Sequence, residues 1–100
     1  LTSDGITLDP ATHRCSRQGA DVPPTPREFS LLEYLMRREG QVATKREILD
    51  HVWGNDFEGD PNIVEVYVKH LRDKLDRPFG ADSIHTVRGV GYLISSGSKG

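Results

Sequence analysis

One hundred residues, 35% hydrophobic and 28% charged, make an ordinary globular composition and one domain with a modest core. No apolar run approaches the roughly 20 residues of a membrane span, no signal-peptide pattern opens the chain, and the lone Cys15 excludes an internal disulfide and fits a reducing cytoplasm. The net charge of −2 argues against a nucleic-acid partner, but residues 1–60 carry seven Lys/Arg and eleven Asp/Glu, a net of −4, whereas residues 61–100 carry six and four, a net of +2.

Residues 1–24 read as short strands and turns. Ile6-Thr7-Leu8 alternates and closes at Asp9-Pro10, His13 to Arg17 is a second strand, and Gln18-Gly19 turns into Ala20-Asp21-Val22. The expectation is a small antiparallel sheet of three or four strands. Thr25-Pro26-Arg27-Glu28 then carries three helix-start signals: a capping hydroxyl, a proline suited to the first turn, and the glutamate of a capping box. Phe29, Leu32, Leu35 and Met36 form its apolar stripe, and Gly40 is the expected stop. Thr44-Lys45-Arg46-Glu47 repeats the capping box and opens a shorter helix with Ile48, Leu49, Val52 and Trp53 inward, ended by Gly54.

After a loop carrying Asp56, Glu58 and Asp60, a third helix is expected from Pro61, capped by Asp60, to about Asp76. At about 100° per residue its sides differ. Val64, Val68, Leu71 and Leu75 share one narrow stripe, while Asn62, Val66, Lys69 and Asp73 oppose it, flanked by Glu65, His70 and Arg72. Ile84 to Val87 and Gly91 to Ile94 read as a hairpin turning at Arg88-Gly89-Val90, and the Ser/Gly-rich residues 95–100 as a disordered tail. Strands, three helices and a hairpin are the plan of a winged helix, a variant of helix-turn-helix.

A helix with one apolar and one polar face suits a DNA major groove. Lys69 is placed for a phosphate or a guanine edge, Arg72 for a phosphate, and His70 for a phosphate from the other flank. The amide of Asn62 suits adenine or a phosphate. Val66, and less centrally Ile63, suit thymine methyl groups, and Tyr67 is expected half-buried with its hydroxyl free for a phosphate. Asp73 repels phosphate, so either the helix has left the groove there or Asp73 pairs with Arg72, Lys69 or Arg77.

Arg88, beside Gly89 at the hairpin tip, suits a narrow A·T-rich minor groove, and Thr86 suits a phosphate. Thr44, Lys45 and Arg46 lie at a helix N-terminus, where free N–H groups attract phosphate. The plainer alternatives are a solvated helix face, a capped helix start and a surface hairpin. Trp53 reads first as a core residue. His13 and Cys15 share a strand face, but with His51 and His85 they lack the spacing of a metal site. No catalytic constellation stands out, so neither an enzyme nor a metal or cofactor is expected.

These pieces resemble the DNA-binding effector domain of OmpR/PhoB-type response regulators. The resemblance is carried by Leu8-Asp9-Pro10, by Thr25-Pro26-Arg27-Glu28-Phe29 with Leu31-Leu32, by Arg46-Glu47-Ile48-Leu49 and by His51-Val52-Trp53-Gly54. It continues through Asn62-Ile63-Val64-Glu65-Val66-Tyr67-Val68, Leu71-Arg72-Asp73-Lys74-Leu75 and Thr86-Val87-Arg88-Gly89-Val90-Gly91-Tyr92. It spans about residues 4 to 94 and implies several further things. A receiver domain is expected upstream, phosphorylated by a sensor histidine kinase. Binding is expected at promoter direct repeats as a head-to-tail pair. The loop with Trp53, Asn55, Asp56 and Glu58 is expected to contact RNA polymerase.

The expectation is therefore an α+β winged helix-turn-helix over residues 1–95, with an N-terminal antiparallel sheet, three helices, a β-hairpin wing and a flexible tail 96–100. Its function is sequence-specific binding of double-stranded promoter DNA in the cytoplasm, without a membrane. The rival is a winged helix that binds protein and does not read DNA.

Overall fold

A computed structural model describes residues 1–55 and 57–95. The expected tail 96–100 and Asp56 of the acidic loop lie outside the described residues. The N-terminal sheet has four antiparallel strands in sequential order: β1 (Thr2–Ser3), β2 (Ile6–Asp9), β3 (Arg14–Arg17) and β4 (Ala20–Asp21). Alternation sends Ile6, Leu8 and Cys15 into the core. His13 is not part of a strand, contrary to expectation. It sits in the turn before β3 at φ 56° and stacks on Phe29, with ring centroids 4.5 Å apart. It therefore shares no strand face with Cys15.

Helix α1 (Pro26–Arg37) starts as its sequence demands. Thr25 Oγ1 accepts from the Glu28 N–H and Glu28 Oε1 accepts from the Thr25 N–H, at 3.3 and 2.9 Å. The same reciprocal pair at Thr44 and Glu47 opens α2 (Lys45–Ile48), which widens into a π turn over Leu49–Trp53 and closes with the Gly54 N–H on Leu49 O. Ile48, Leu49 and Val52 are buried, and Trp53 is half-buried and packs against the margin of the core.

Helix α3 (Ile63–Leu75) begins two residues later than expected, because Asp60 to Asn62 form a tight turn in which Asp60 Oδ1 accepts from the Asn62 N–H at 2.9 Å. Its inward stripe is the expected one: Val64, Val68, Leu71 and Leu75 are all at most 1% exposed. A short 3-10 turn (Arg77–Phe79) leads to the hairpin β6 (Ile84–Val87) and β7 (Gly91–Ile94). This hairpin belongs to a three-stranded sheet, because β5 (Ala43–Thr44) pairs with β7. The side-chain pattern hides β5, but the backbone explains it. A Cβ on Gly91 would stand 1.9 Å from Ala43 O, so only glycine lets the two strands close.

One buried ion pair ties these pieces together. Arg17, on β3 and 1% exposed, sets Nη2 3.2 Å from Oδ1 of Asp76, which follows α3 and is 3% exposed. Arg17 also donates to Ser83 Oγ and, at 2.7 Å, to Asp4 O, and lies over the Phe79 ring. The other Asp76 oxygen accepts from the N–H groups of Ser83 and Ile84 at 3.1 and 3.3 Å. Removing one partner of such a pair leaves the other charge buried and unpaired. Arg17→Ala is expected to destabilise the fold by about 3–5 kcal/mol in a urea melt. A loss below about 1 kcal/mol would mean that the pair is not structural.

Candidate nucleic-acid interface

The outward side of α3 carries exposed Asn62, Glu65, Val66, Lys69 and His70. Val66 is 44% exposed, the opposite of its neighbours Val64 and Val68. Ile63 and Tyr67 are half-buried and pack against the core rather than facing fully outward. Tyr67 meets Trp53 edge-on at 5.3 Å between centroids, and Trp53 also receives Arg27 over its face. Trp53, Tyr67, Phe57, Asp60 and Asn62 line a shallow, largely apolar groove of about 450 Å³ beside the loop that holds Asn55 and Glu58.

The exposed charges are mostly engaged. Lys69 Nζ lies 3.0 Å from Asp73 Oδ2, and Arg77 Nε lies 2.9 Å from Asp73 Oδ1. Asp73 therefore bridges two cations one helical turn to either side. Lys69, with Arg77 beside it, holds the Asp73 carboxyl below its ordinary range. Lys45 Nζ reaches Glu65 Oε2 at 2.5 Å, linking the start of α2 to α3, and this bond raises the Lys45 ammonium. Arg46 is exposed near Asp50.

Arg72 is half-buried. Its guanidinium turns toward the wing: Nε and Nη2 donate to Ile84 O at 3.1 and 2.9 Å, and Nη2 donates to Thr86 Oγ1 at 2.8 Å. Thr86 accepts from Arg72 and stays exposed, with its own O–H left to donate. The short connection from α3 to β6 brings the wing strand alongside the helix flank.

At the wing tip Arg88, Gly89 and Val90 are exposed, and Gly89 takes φ 75°, which the turn requires. The wing and the start of α2 face each other across an open groove of about 680 Å³ lined by Thr44, Lys45, Arg46, Glu65, Tyr92 and the wing residues. Sequence reasoning treated Thr44–Arg46 and the wing as separate sites; the unseen strand β5 makes them one surface. It also overlooked exposed Val90, 45% exposed, and Tyr92, whose phenol is raised by burial and by nearby Glu65.

His70 and Lys74 reach inward from the flank of α3 to Glu28, which is 3% exposed. Lys74 Nζ lies 2.6 Å from Glu28 Oε1, and His70 Nδ1 lies 3.7 Å from Oε2. The metal candidates each have other company: His51 stacks on Tyr34, His85 lies near Asp82, and burial lifts the Cys15 thiol to about 11, leaving it unreactive. No group of three potential metal-binding side chains forms among the described residues. No helix among them is long and apolar enough to cross a membrane.

Comparison with known proteins agrees with this geometry. Residues 19–94 match the family described as transcriptional regulatory protein, C terminal. The transcriptional regulatory protein YkoG of Bacillus subtilis is 46% identical over 94 residues, covering 94% of this chain and 41% of YkoG. The response regulator ArlR of Staphylococcus aureus is 41% identical over 92 residues, covering 91% of this chain and 42% of ArlR. The chain thus spans about two fifths of the length of these curated relatives. The DNA-binding domain of RstA from Klebsiella pneumoniae, solved in complex with RstA box, superposes with a TM-score of 0.84 at 27% identity, covering 96% of each chain.

The Glu28 site gives a pH signature. Burial opposes its charge, but Lys74 and the Thr25 N–H, with His70 beyond, outweigh that and hold the carboxyl below its ordinary 4.5. A depressed carboxylate adds stability that is complete above its unfolded value and vanishes as pH falls through its folded value. Glu28→Gln should cost about 1–2 kcal/mol at neutral pH. The gap from the parent protein should close between about pH 5 and pH 3 in urea melts, and a gap constant with pH would contradict the assignment.

Proposed function

The chain belongs to the family of C-terminal domains of transcriptional regulatory proteins, the DNA-binding output domains of response regulators, and we propose that it lays α3 in a major groove and Arg88 in the adjoining minor groove of promoter DNA. The observation that carries this is the division of α3: Val64, Val68, Leu71 and Leu75 are sealed in the core, while Asn62, Val66 and Lys69 stand exposed opposite them. Asn62 and Lys69 supply amide and ammonium donors for base edges and phosphates, and Val66 an apolar contact for a thymine methyl. Thr44, Lys45 and Arg46 line the groove that continues to Arg88, as phosphate contacts need.

The pairing of Lys69 with Asp73 and of Lys45 with Glu65 leaves a weakly basic surface. That supports binding as a head-to-tail pair on direct repeats, where two modules share the work. In the full-length protein a receiver domain, acted on by a sensor histidine kinase in the cytoplasm, would govern that pairing. The groove of Trp53, Phe57 and Tyr67, beside Asn55 and Glu58, is the surface offered to RNA polymerase.

About four to six phosphate contacts per monomer give a log–log salt slope of about −3 to −6. In gel shifts Lys69→Ala should weaken binding broadly, by about tenfold. Arg88→Ala should weaken it mainly where the flank is A·T-rich. A flat salt dependence with both variants binding as the parent does would favour a protein-binding winged helix instead.

A further inference from the structure

Resting on that reading, we propose that Arg72 is a positioning residue that sets the wing against the recognition helix, and not a phosphate contact. Three hydrogen bonds run from its guanidinium to β6: two to Ile84 O and one to Thr86 Oγ1. Its Cζ lies over the Tyr92 ring of β7, 6.0 Å from the centroid. One side chain of α3 therefore grips both strands of the wing, and does so with the fork geometry that only arginine has.

The grip sits where it matters. Lys69 lies one turn before Arg72 on α3, and Arg88 lies two residues beyond Thr86 on the wing. The span from the major-groove contact to the minor-groove contact thus passes through Arg72. On the other side of Ile84, Asp76, just past the end of α3, accepts its N–H, so the N–H and the C=O of that one residue are both held by side chains from this stretch. With Ile84 clamped at both ends, β6 keeps one distance from α3, and Arg88 is delivered to the groove without a search. The three bonds use Nε and Nη2, so the grip on the wing is made by one edge of the guanidinium, and a phosphate held by Nη1 would show separately in the salt slope.

The test has one arm that needs no DNA. In Arg72→Met, amide exchange in β6 and β7 should quicken at least tenfold while α1 exchanges as in the parent chain. Thr86→Val, which removes one of the three bonds, should do so in smaller measure, and serves where Arg72→Met folds poorly. The second arm uses a duplex recovered by selection from a random pool. Arg72→Met should weaken binding while leaving the salt slope unchanged, and Arg88→Ala, costly in the parent, should cost less than twofold on top of it. Arg72→Lys, which keeps the charge and loses the fork, should behave like Arg72→Met.

A slope shallower by about one, with losses that multiply and rescue by Arg72→Lys, would make Arg72 a phosphate contact and overturn the proposal. Unchanged wing exchange would overturn it as well. Failure of the parent chain to bind any duplex would instead sink the DNA reading, with the exchange arm still deciding whether Arg72 holds the wing.

Discussion

The buried pair of Arg17 and Asp76 is the constraint from which the rest of the structure follows. Asp76 follows α3 and takes the N–H groups of Ser83 and of Ile84, where the wing strand begins. A carboxylate so deeply buried is costly unless a cation meets it. The cation comes from β3, on the far side of the domain in sequence, 59 residues away. The N-terminal sheet thus does more than cover one side of the core. It neutralises the carboxylate that ties the end of α3 to the start of the wing, and Arg72, one turn back on α3, bonds the same strand again. The reading surface is assembled from the inside, by residues that need never touch a ligand.

That surface is restrained in charge. Asp73 occupies Lys69 and Arg77 at once, and Glu65 occupies Lys45. Each pair is exposed, so each is weak in water and open to competition from phosphate. Such pairing lowers affinity for any polyanion while leaving Asn62 and Val66, which depend on shape and hydrogen bonding, unaffected. Specificity is a difference of affinities, and a surface with little spare charge gains discrimination by losing its non-specific term. The same restraint makes a second copy useful.

Much of this was legible in the sequence because it rests on local chemistry. The two capping boxes, the inward stripe of α3 and the glycine-bearing hairpin turn are written in side chains a few residues apart. Asp73 was legible as a conflict on the polar face, and its resolution by Lys69 and Arg77 was among the alternatives weighed. What escaped depends on long-range partners. Arg17 reads as a surface residue until Asp76 and Ser83 close around it. Strand β5 is two residues long and invisible to periodicity, and its signal lay in Gly91, which has room for nothing larger. Arg72 sits on the flank of the polar face, where angle alone cannot tell a phosphate contact from a brace. Trp53 reads as packing in or near the core, and it does pack against the core's margin, among Arg27, Phe57 and Tyr67, partners that its spacing does not name.

The claim at the centre of this account is that one rigid unit, α3 with its braced wing, reads two grooves at a fixed separation. Selection of bound duplexes from a random pool tests it most directly. The account predicts a block of specified base pairs for α3, flanked on one side at constant spacing by an A·T-rich block for Arg88, the whole repeated in one orientation. Recovery of no common sequence, or of an α3 block with flanks of every composition and spacing, would contradict it.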